Sequence, residues 1–302
     1  MDIEDKNIML AIVIPYFKIK YFKHTLDSLL IQTDKKFVVY IGDDGSPENP
    51  EALLNQYEGR INYVYHRFKE NMGQNSLVKH WERCLDLVDN ENWVMILGDD
   101  DVLERNVVSE FYINSKEIQK HNVSVVRYSS IKINHFGDEI SKVYHHKSIE
   151  EAKEILFTGK RNSLSEYIFN YPCLLKKGFR DFPLAWYSDV LAVLEISEFG
   201  NIFSINSAIL KIRISKESIS GSDFYYKCKE KSRLLFYSIL IKKYQSHFST
   251  EQQEELIKRL CKTYVNNKKV LFWYIKINSL FIMKFNFKAI YCFHKLISKS
   301  LL

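Results

Sequence analysis

Short, continuously apolar runs alternate along the first hundred residues with stretches whose apolar positions recur at helical spacing. Residues 9–15 (MLAIVIP) and 37–41 (FVVYI) are apolar throughout and rich in β-branched side chains. That is the pattern of strands buried on both faces. Between them, over 21–33, Phe22, Leu26, Leu29 and Leu30 mark one face of a helix. A short helix is expected over 51–57 and a third strand over 61–66 (INYVYH). Residues 76–88 put Leu77, Trp81, Cys84, Leu85 and Val88 on one helical face, and 93–97 (WVMIL) form a fourth buried strand. Strand and helix thus alternate four times with short connections, which predicts an α/β fold with a mostly parallel sheet and flanking helices.

The second half is less regular. The spacing predicts a helix over 107–119, a strand over 123–133 and a hairpin-like turn at 135–139. Helices are expected over 149–157 and 164–169, and a short strand over 172–175. Residues 188–198 read as a helix with Ser188 as N-cap and Gly200 closing it. One or two strands are expected over 202–214, and helix from 224 onward.

Polar residues sharpen this picture where the apolar runs end. The fourth strand runs directly into Gly98-Asp99-Asp100-Asp101, and the second into Gly42-Asp43-Asp44-Gly45-Ser46. In open α/β sheets ligands bind beyond the carboxyl ends of the strands, so both acidic turns should face one crevice. Three adjacent carboxylates repel one another and persist where something positive sits against them. Mg²⁺ or Mn²⁺, shared with a phosphate-bearing substrate, suits such oxygen donors. A solvated acidic turn is the plainer alternative. At Asp43 and Asp44 a carboxylate can accept from a nucleobase imide or a ribose hydroxyl, with Gly45 allowing close backbone approach; DDGS is also ordinary turn chemistry. Asp189, at a helix start, can act as a general base or merely complement the helix dipole. Arg213 suits a diphosphate or a solvated strand end.

Charge and cysteine content narrow the class. The net charge of +6 over 302 residues permits an anionic partner, and seven lysines with no acid fall in 268–302. There they interleave with aromatic side chains, which suits a peripheral membrane contact or a packed helical end; nucleic acid is not expected. Five scattered cysteines without a CxxC pair argue against a disulfide framework or a structural zinc site and for a reducing cytoplasm. A basic, then apolar leader is not seen at the N-terminus, nor a run of about 18 uncharged apolar residues.

The order Ala11-Ile12-Val13-Ile14-Pro15-Tyr16, Leu29-Leu30-Ile31-Gln32-Thr33, Asp43-Asp44-Gly45-Ser46, Asn71-Met72-Gly73 and Leu97-Gly98-Asp99-Asp100-Asp101 resembles glycosyltransferase family 2. The resemblance is specific over residues 8–105, weaker to 220 and absent beyond. It implies a GT-A fold over 1–222, with a nucleotide-sugar half (1–110) and an acceptor half (111–222), followed by a helical region over 223–302. It implies a nucleotide-diphospho-sugar donor, UDP-linked, and inversion at the anomeric carbon. The acceptor would be a saccharide or lipid-linked hydroxyl in surface-polysaccharide synthesis, at the inner face of the plasma membrane.

By position, Asp44 resembles the base-binding aspartate, with Asp43 adjoining it and Pro15 and Tyr16 at the nucleotide-side strand end. Asp100 resembles the metal-ligating aspartate of the DxD motif, with Asp101 as second ligand and Asp99 as the ribose or metal neighbour. Gly98 stands where the family has the first aspartate. Asp189 resembles the catalytic base, with Ser188 in place of glutamate. Arg213 lies in Ile212-Arg213-Ile214-Ser215, similar to a Tyr-Arg-x-His element whose histidine is Ser215 here. A nucleotidyltransferase would need a glycine-rich basic loop near the N-terminus, and residues 15–23 have lysines but no glycine. A non-catalytic sugar-nucleotide-binding protein would keep Asp43 and Asp44 and have no need of Asp189.

Overall fold

Two apolar strands, β1 (Leu10–Tyr16) and β2 (Phe37–Asp43), form the middle of the first half of the sheet, with α1 (Ile19–Leu30) connecting them. The computed structural model describes residues 9–159, 162–215, 218–219, 221–222, 224–267 and 270–300. After β2 come α2 (Glu51–Leu54), β3 (Tyr63–Arg67), α3 (Leu77–Leu85) and β4 (Trp93–Ile96). These strands lie in the order β3-β2-β1-β4, all parallel. Residues 10–14 are at most 1% exposed, as their unbroken apolarity requires of a strand covered on both faces. On α1, Phe22, Leu26 and Leu29 are buried in the same core.

The sheet continues in a different style. The next elements are β5 (Val102–Leu103), α4 (Val107–Ile113), α5 (Ser115–Lys120), β6 (Val125–Ile133), β7 (Ile149–Glu151), β8 (Tyr167–Asn170), α6 (Tyr171–Lys177), α7 (Ser188–Ile196) and β9 (Asn201–Arg213). β8 runs antiparallel to both β4 and β6, β6 is parallel to β9, and β5 and β7 pair antiparallel with β9. The nine-stranded sheet is therefore parallel through its first four strands and mixed beyond them.

Several local expectations change. The helix expected over 107–119 is broken at Asn114 into α4 and α5. Residues 149–157 give β7 and a 3₁₀ turn (Ala152–Leu156) instead of a helix, and 164–169 give a 3₁₀ turn (Leu164–Glu166) followed by β8. There the sheet partners decide: Ile168 sits between Met95 and Val126 in the ladder. The strand expected over 172–175 is helix α6. Its start signals are in the sequence: the Asn170 side chain accepts from the Cys173 amide, and Pro172 occupies the first turn. Ser188 is the first residue of α7, and its hydroxyl donates to the Arg180 carbonyl at 2.6 Å. The one or two strands expected over 202–214 are a single strand, β9.

The chain divides into two units, one holding residues up to Asp181 and Ser188–Gly221, the other Phe182–Tyr187 and Ser222–Leu302. The second unit contains α8 (Tyr226–Lys243), α9 (Thr250–Asn266), α10 (Leu271–Met283) and α11 (Phe287–Lys299). A capping box at Ser249 and Gln252 starts α9. The 182–187 segment is fastened to α8 by the Ser232 hydroxyl on the Pro183 carbonyl (2.7 Å) and by Tyr187 stacked on Phe236 at 4.4 Å. Lys268 and Lys269, part of the basic tail, lie outside the described residues.

Candidate active site

Because β1, β2 and β4 are parallel and in register, the segments leaving their carboxyl ends lie together. Tyr16 pairs opposite Asp43. The Asp44 amide donates to the Tyr16 carbonyl at 3.1 Å, and the Leu97 amide to the Val13 carbonyl at 2.8 Å. Pro15, Tyr16, Asp43, Asp44 and the 99–101 cluster thus share one end of the sheet. Tyr16 is fully buried with its hydroxyl on the Glu48 carbonyl (2.6 Å), and burial pushes its phenol pKa up.

The three consecutive aspartates have different surroundings. Asp99 Oδ2 accepts from the amides of Phe17 and Lys18, each at 2.8 Å, and so closes the turn between β1 and α1. Asp101 is 5% exposed; its Oδ2 accepts from the Ser165 hydroxyl (2.6 Å) and its Oδ1 from the Arg213 amide (2.9 Å). The Asp100 carboxylate takes no hydrogen bond among the described residues. Burial, then the charges of Asp101 and Asp99, hold its carboxyl well above the usual carboxylate range. Burial also raises Asp99 despite its two amide donors.

Gly98 has a local reason. A Cβ there would come within 3.1 Å of Asp101 Oδ2 and 3.2 Å of Asp100 Oδ1. Its amide donates to the Ser165 hydroxyl at 3.1 Å, so Ser165 bridges Gly98 and Asp101. An aspartate at 98 would add bulk and a fourth negative charge to this corner.

Among the described residues no group of three or more His, Cys, Asp or Glu side chains is arranged to hold a metal ion. The donor set that fits a cation is smaller: the Asp100 carboxylate and the remaining Oδ1 of Asp99. Mg²⁺ commonly binds through one or two carboxylates, with water and substrate phosphates completing its shell. A cation between these two carboxylates would offset the burial and, after it, the like charges of the cluster that raise both of them.

The other acidic turn faces inward. Asp43 is fully buried; Oδ1 accepts from the Ser46 amide (2.8 Å), and Oδ2 from the Tyr65 hydroxyl and Arg67 Nη1 (each 2.7 Å). Asp44 Oδ1 accepts from the Met72 amide and Oδ2 from the Gly73 amide, both at 2.8 Å, and Arg83 Nη2 also bonds Oδ1. Asp44 therefore clamps the Asn71-Met72-Gly73 turn. A Cβ on Gly73 would lie 2.5 Å from Asp44 Oδ2, which accounts for the glycine. His80 lies 3.4 Å from Asp44 Oδ1, and burial followed by the Arg83 charge pushes its imidazole pKa down to about 3, so it is neutral.

Arg213 is 2% exposed and braces the aspartate cluster from behind. Nε donates to the Asp100 carbonyl (2.9 Å) and Nη1 to the Asn134 carbonyl (2.8 Å); Nη2 lies 3.2 Å from His24 Nδ1, and the guanidinium sits over the Tyr21 ring. Asp189 occupies the first turn of α7, half-buried, and its charge is felt at the Tyr167 phenol, whose pKa burial raises first. Ser165, which bonds Asp101, and Tyr167 lie in one continuous segment of the chain.

Sequence reasoning missed what lies behind that segment. Arg127 and Glu166 are both fully buried; Arg127 Nη2 lies 3.4 Å from Glu166 Oε2 and 2.8 Å from Asn162 Oδ1, and Glu166 Oε1 accepts from Ser130 at 2.9 Å. The available signal was a single arginine inside the apolar run VSVVRYSSI. A charge placed there needs a buried partner.

A model of the family described as glycosyl transferase family 2 matches residues 11–182. No curated protein sequence matches. Among solved structures, residues 1–349 of S. aureus TarS in complex with UDP-GlcNAc align over 85% of this chain and 71% of that one, with 14% identity and a TM-score of 0.62. The same TarS portion with UDP aligns over 97% and 89%, with 16% identity and a TM-score of 0.58. GalNAc-T7 with UDP, GalNAc and Mn²⁺ aligns over 93% of this chain and 58% of that one, with 12% identity and a TM-score of 0.52. At these identities the likeness is one of fold, the GT-A fold.

Proposed function

The chain belongs to glycosyl transferase family 2, and from that premise we propose that it moves a sugar, with inversion, from a nucleotide-diphospho-sugar to a hydroxyl of a saccharide or lipid-linked acceptor. The observation that carries this reading is the Asp100 carboxylate. It is half-buried, without a hydrogen-bond partner among the described residues, and crowded by two other acids at the carboxyl end of a parallel sheet. Three solved structures of the same fold are complexes with UDP-GlcNAc, with UDP, and with UDP, GalNAc and Mn²⁺. A UDP-linked donor and a divalent cation follow for this chain as part of the proposal.

Asp100 is the principal residue to hold Mn²⁺ or Mg²⁺, with Asp99 adjoining. Bound there, the ion would supply positive charge against the leaving diphosphate. Asp101 and Arg213 act by holding the 100–101 backbone in place. Asp43 and Asp44 set the nucleotide side, Asp44 by fixing the 71–73 turn and Asp43 by fixing the 43–46 turn, next to Pro15 and Tyr16. Asp189 takes the proton from the acceptor hydroxyl, which attacks the anomeric carbon opposite the leaving group; positioning supplies much of the rate. Synthesis of a surface polysaccharide on the cytoplasmic side of the membrane is the setting this chemistry suits.

Calorimetry with a panel of sugar nucleotides, with and without Mn²⁺, tests the reading. Asp100→Ala should lose divalent-dependent donor binding. Asp189→Asn should keep donor binding and lose transfer by at least about 100-fold. Normal turnover by Asp189→Asn would remove Asp189 as the base. Absence of any sugar-nucleotide binding would sink the proposal as a whole.

A further inference from the structure

In the second unit, α10 is apolar on both of its faces. Trp273, Ile277, Leu280 and Phe281 form a buried stripe at helical spacing. The opposite face carries Leu271, Phe272, Ile275, Ile282 and Met283, each 56–69% exposed. The turn that follows adds Phe285, 81% exposed, and the outer face of α11 begins with Phe287 and Tyr291 at 69% and 66%. Single exposed apolar side chains are ordinary on a protein surface. Eight large ones on consecutive turns of one helical pair mark a face that meets something apolar.

Charge identifies what that is. No Asp or Glu follows Glu255 in the chain. The same two helices and their turn carry Lys276, Lys284, Lys288, Lys295 and Lys299. Lys288 is paired with Glu254 of α9 at 2.7 Å; Lys276 and Lys295 lie over the rings of Trp273 and Tyr291 at 4.9 and 5.8 Å. An isologous contact with a second copy would set these lysines against lysines, with no acid on either helix to neutralise them. A surface apolar just below a layer of phosphates satisfies both the exposed rings and the lysines. α10 has 13 residues, about 20 Å of helix. No helix among the described residues is long and apolar enough to cross a membrane.

We infer that the outer face of α10 and α11 lies in the plane of an anionic lipid surface. Leu271, Phe272, Ile275, Ile282, Met283 and Phe285 enter the boundary between headgroups and acyl chains, and the lysines stand at phosphate level. The inference concerns the second unit alone and does not depend on the transfer chemistry.

Co-sedimentation of the full chain with phosphatidylglycerol vesicles and with phosphatidylcholine vesicles, at low and high salt, reads it directly. Binding to phosphatidylglycerol should be at least about tenfold tighter and should weaken with salt. The triple variant Phe272→Ser, Ile275→Ser, Phe285→Ser replaces exposed side chains, so its melting temperature should hold while vesicle binding falls at least about tenfold. Lys284→Glu with Lys295→Glu should remove the salt-dependent part, and tests the inference even if the triple variant misfolds. Equal affinity for the two vesicle types, no vesicle binding, or full binding by the folded triple variant would overturn it. So would a concentration-dependent dimer in light scattering that the triple variant abolishes, which would give the face to a second copy.

Discussion

Asp99, Asp100 and Asp101 are identical in chemistry, and their neighbours assign them different work. Two backbone amides hold Asp99, Ser165 and the Arg213 amide hold Asp101, and the Asp100 carboxylate is left to burial and, after it, to the charges of its two neighbours. Ser165 is the contact no motif announces. Ser165→Ala removes its bonds to Gly98 and Asp101, and apparent Mn²⁺ affinity in a donor-binding titration should fall about 10-fold or more. Ser165→Thr, which keeps the hydroxyl, should recover part of it. His80 makes a second prediction. Its folded pKa is depressed to about 3, so between that value and the ordinary histidine range the unfolded chain binds the extra proton. Stability from this site is therefore present above about pH 6.5 and is lost as pH falls, at up to about 1.4 kcal/mol per pH unit. Melting temperatures measured from neutral to mildly acidic pH should fall less steeply in His80→Gln than in the parent.

At the scale of elements, β1, β2 and β4 were legible because each is apolar on both faces and ends at a glycine, proline or acid, while the half-exposed β3 showed through its alternating Tyr63, Val64 and Tyr65. Their common carboxyl ends follow from parallel pairing, which short helical connections impose. The later elements were misread where a short apolar segment fits either structure. Tyr167-Ile168-Phe169 became strand because β4 and β6 flank it, while the Asn170 cap and Pro172 signalled α6 in the sequence itself. The turn at 71–73 gives a test of element geometry. Gly73→Ala would drive a Cβ against Asp44 Oδ2, loosening the clamp on the Met72 and Gly73 amides. A loss of roughly 1–3 kcal/mol in stability is expected, together with weaker donor binding by calorimetry. Donor affinity equal to the parent's would detach this turn from the nucleotide side.

For the molecule as a whole, ligand binding should register as stability. A sugar nucleotide with Mn²⁺ at 100 times its dissociation constant should add about 2.7 kcal/mol to the folded state. The rise in melting temperature should be absent in Asp100→Ala and present in Asp189→Asn. The family match over residues 11–182 leaves the four helices of the second unit to the chain's own pattern, and they carry the apolar, lysine-flanked face. By itself the sequence determined the alternation of strand and helix, the placing of acids at strand ends and the basic, acid-free tail. Those are local properties, readable from periodicity and from what each side chain tolerates nearby. Tertiary structure alone decided which aspartate carboxylate is left without a hydrogen bond among the described residues, because the groups that bond the others come from far along the chain: Phe17 and Lys18 for Asp99, Ser165 and Arg213 for Asp101. It also decided that Arg127, buried within β6, would find Glu166. A hydrogen bond between residues so far apart in sequence exists only once the sheet has set their strands side by side.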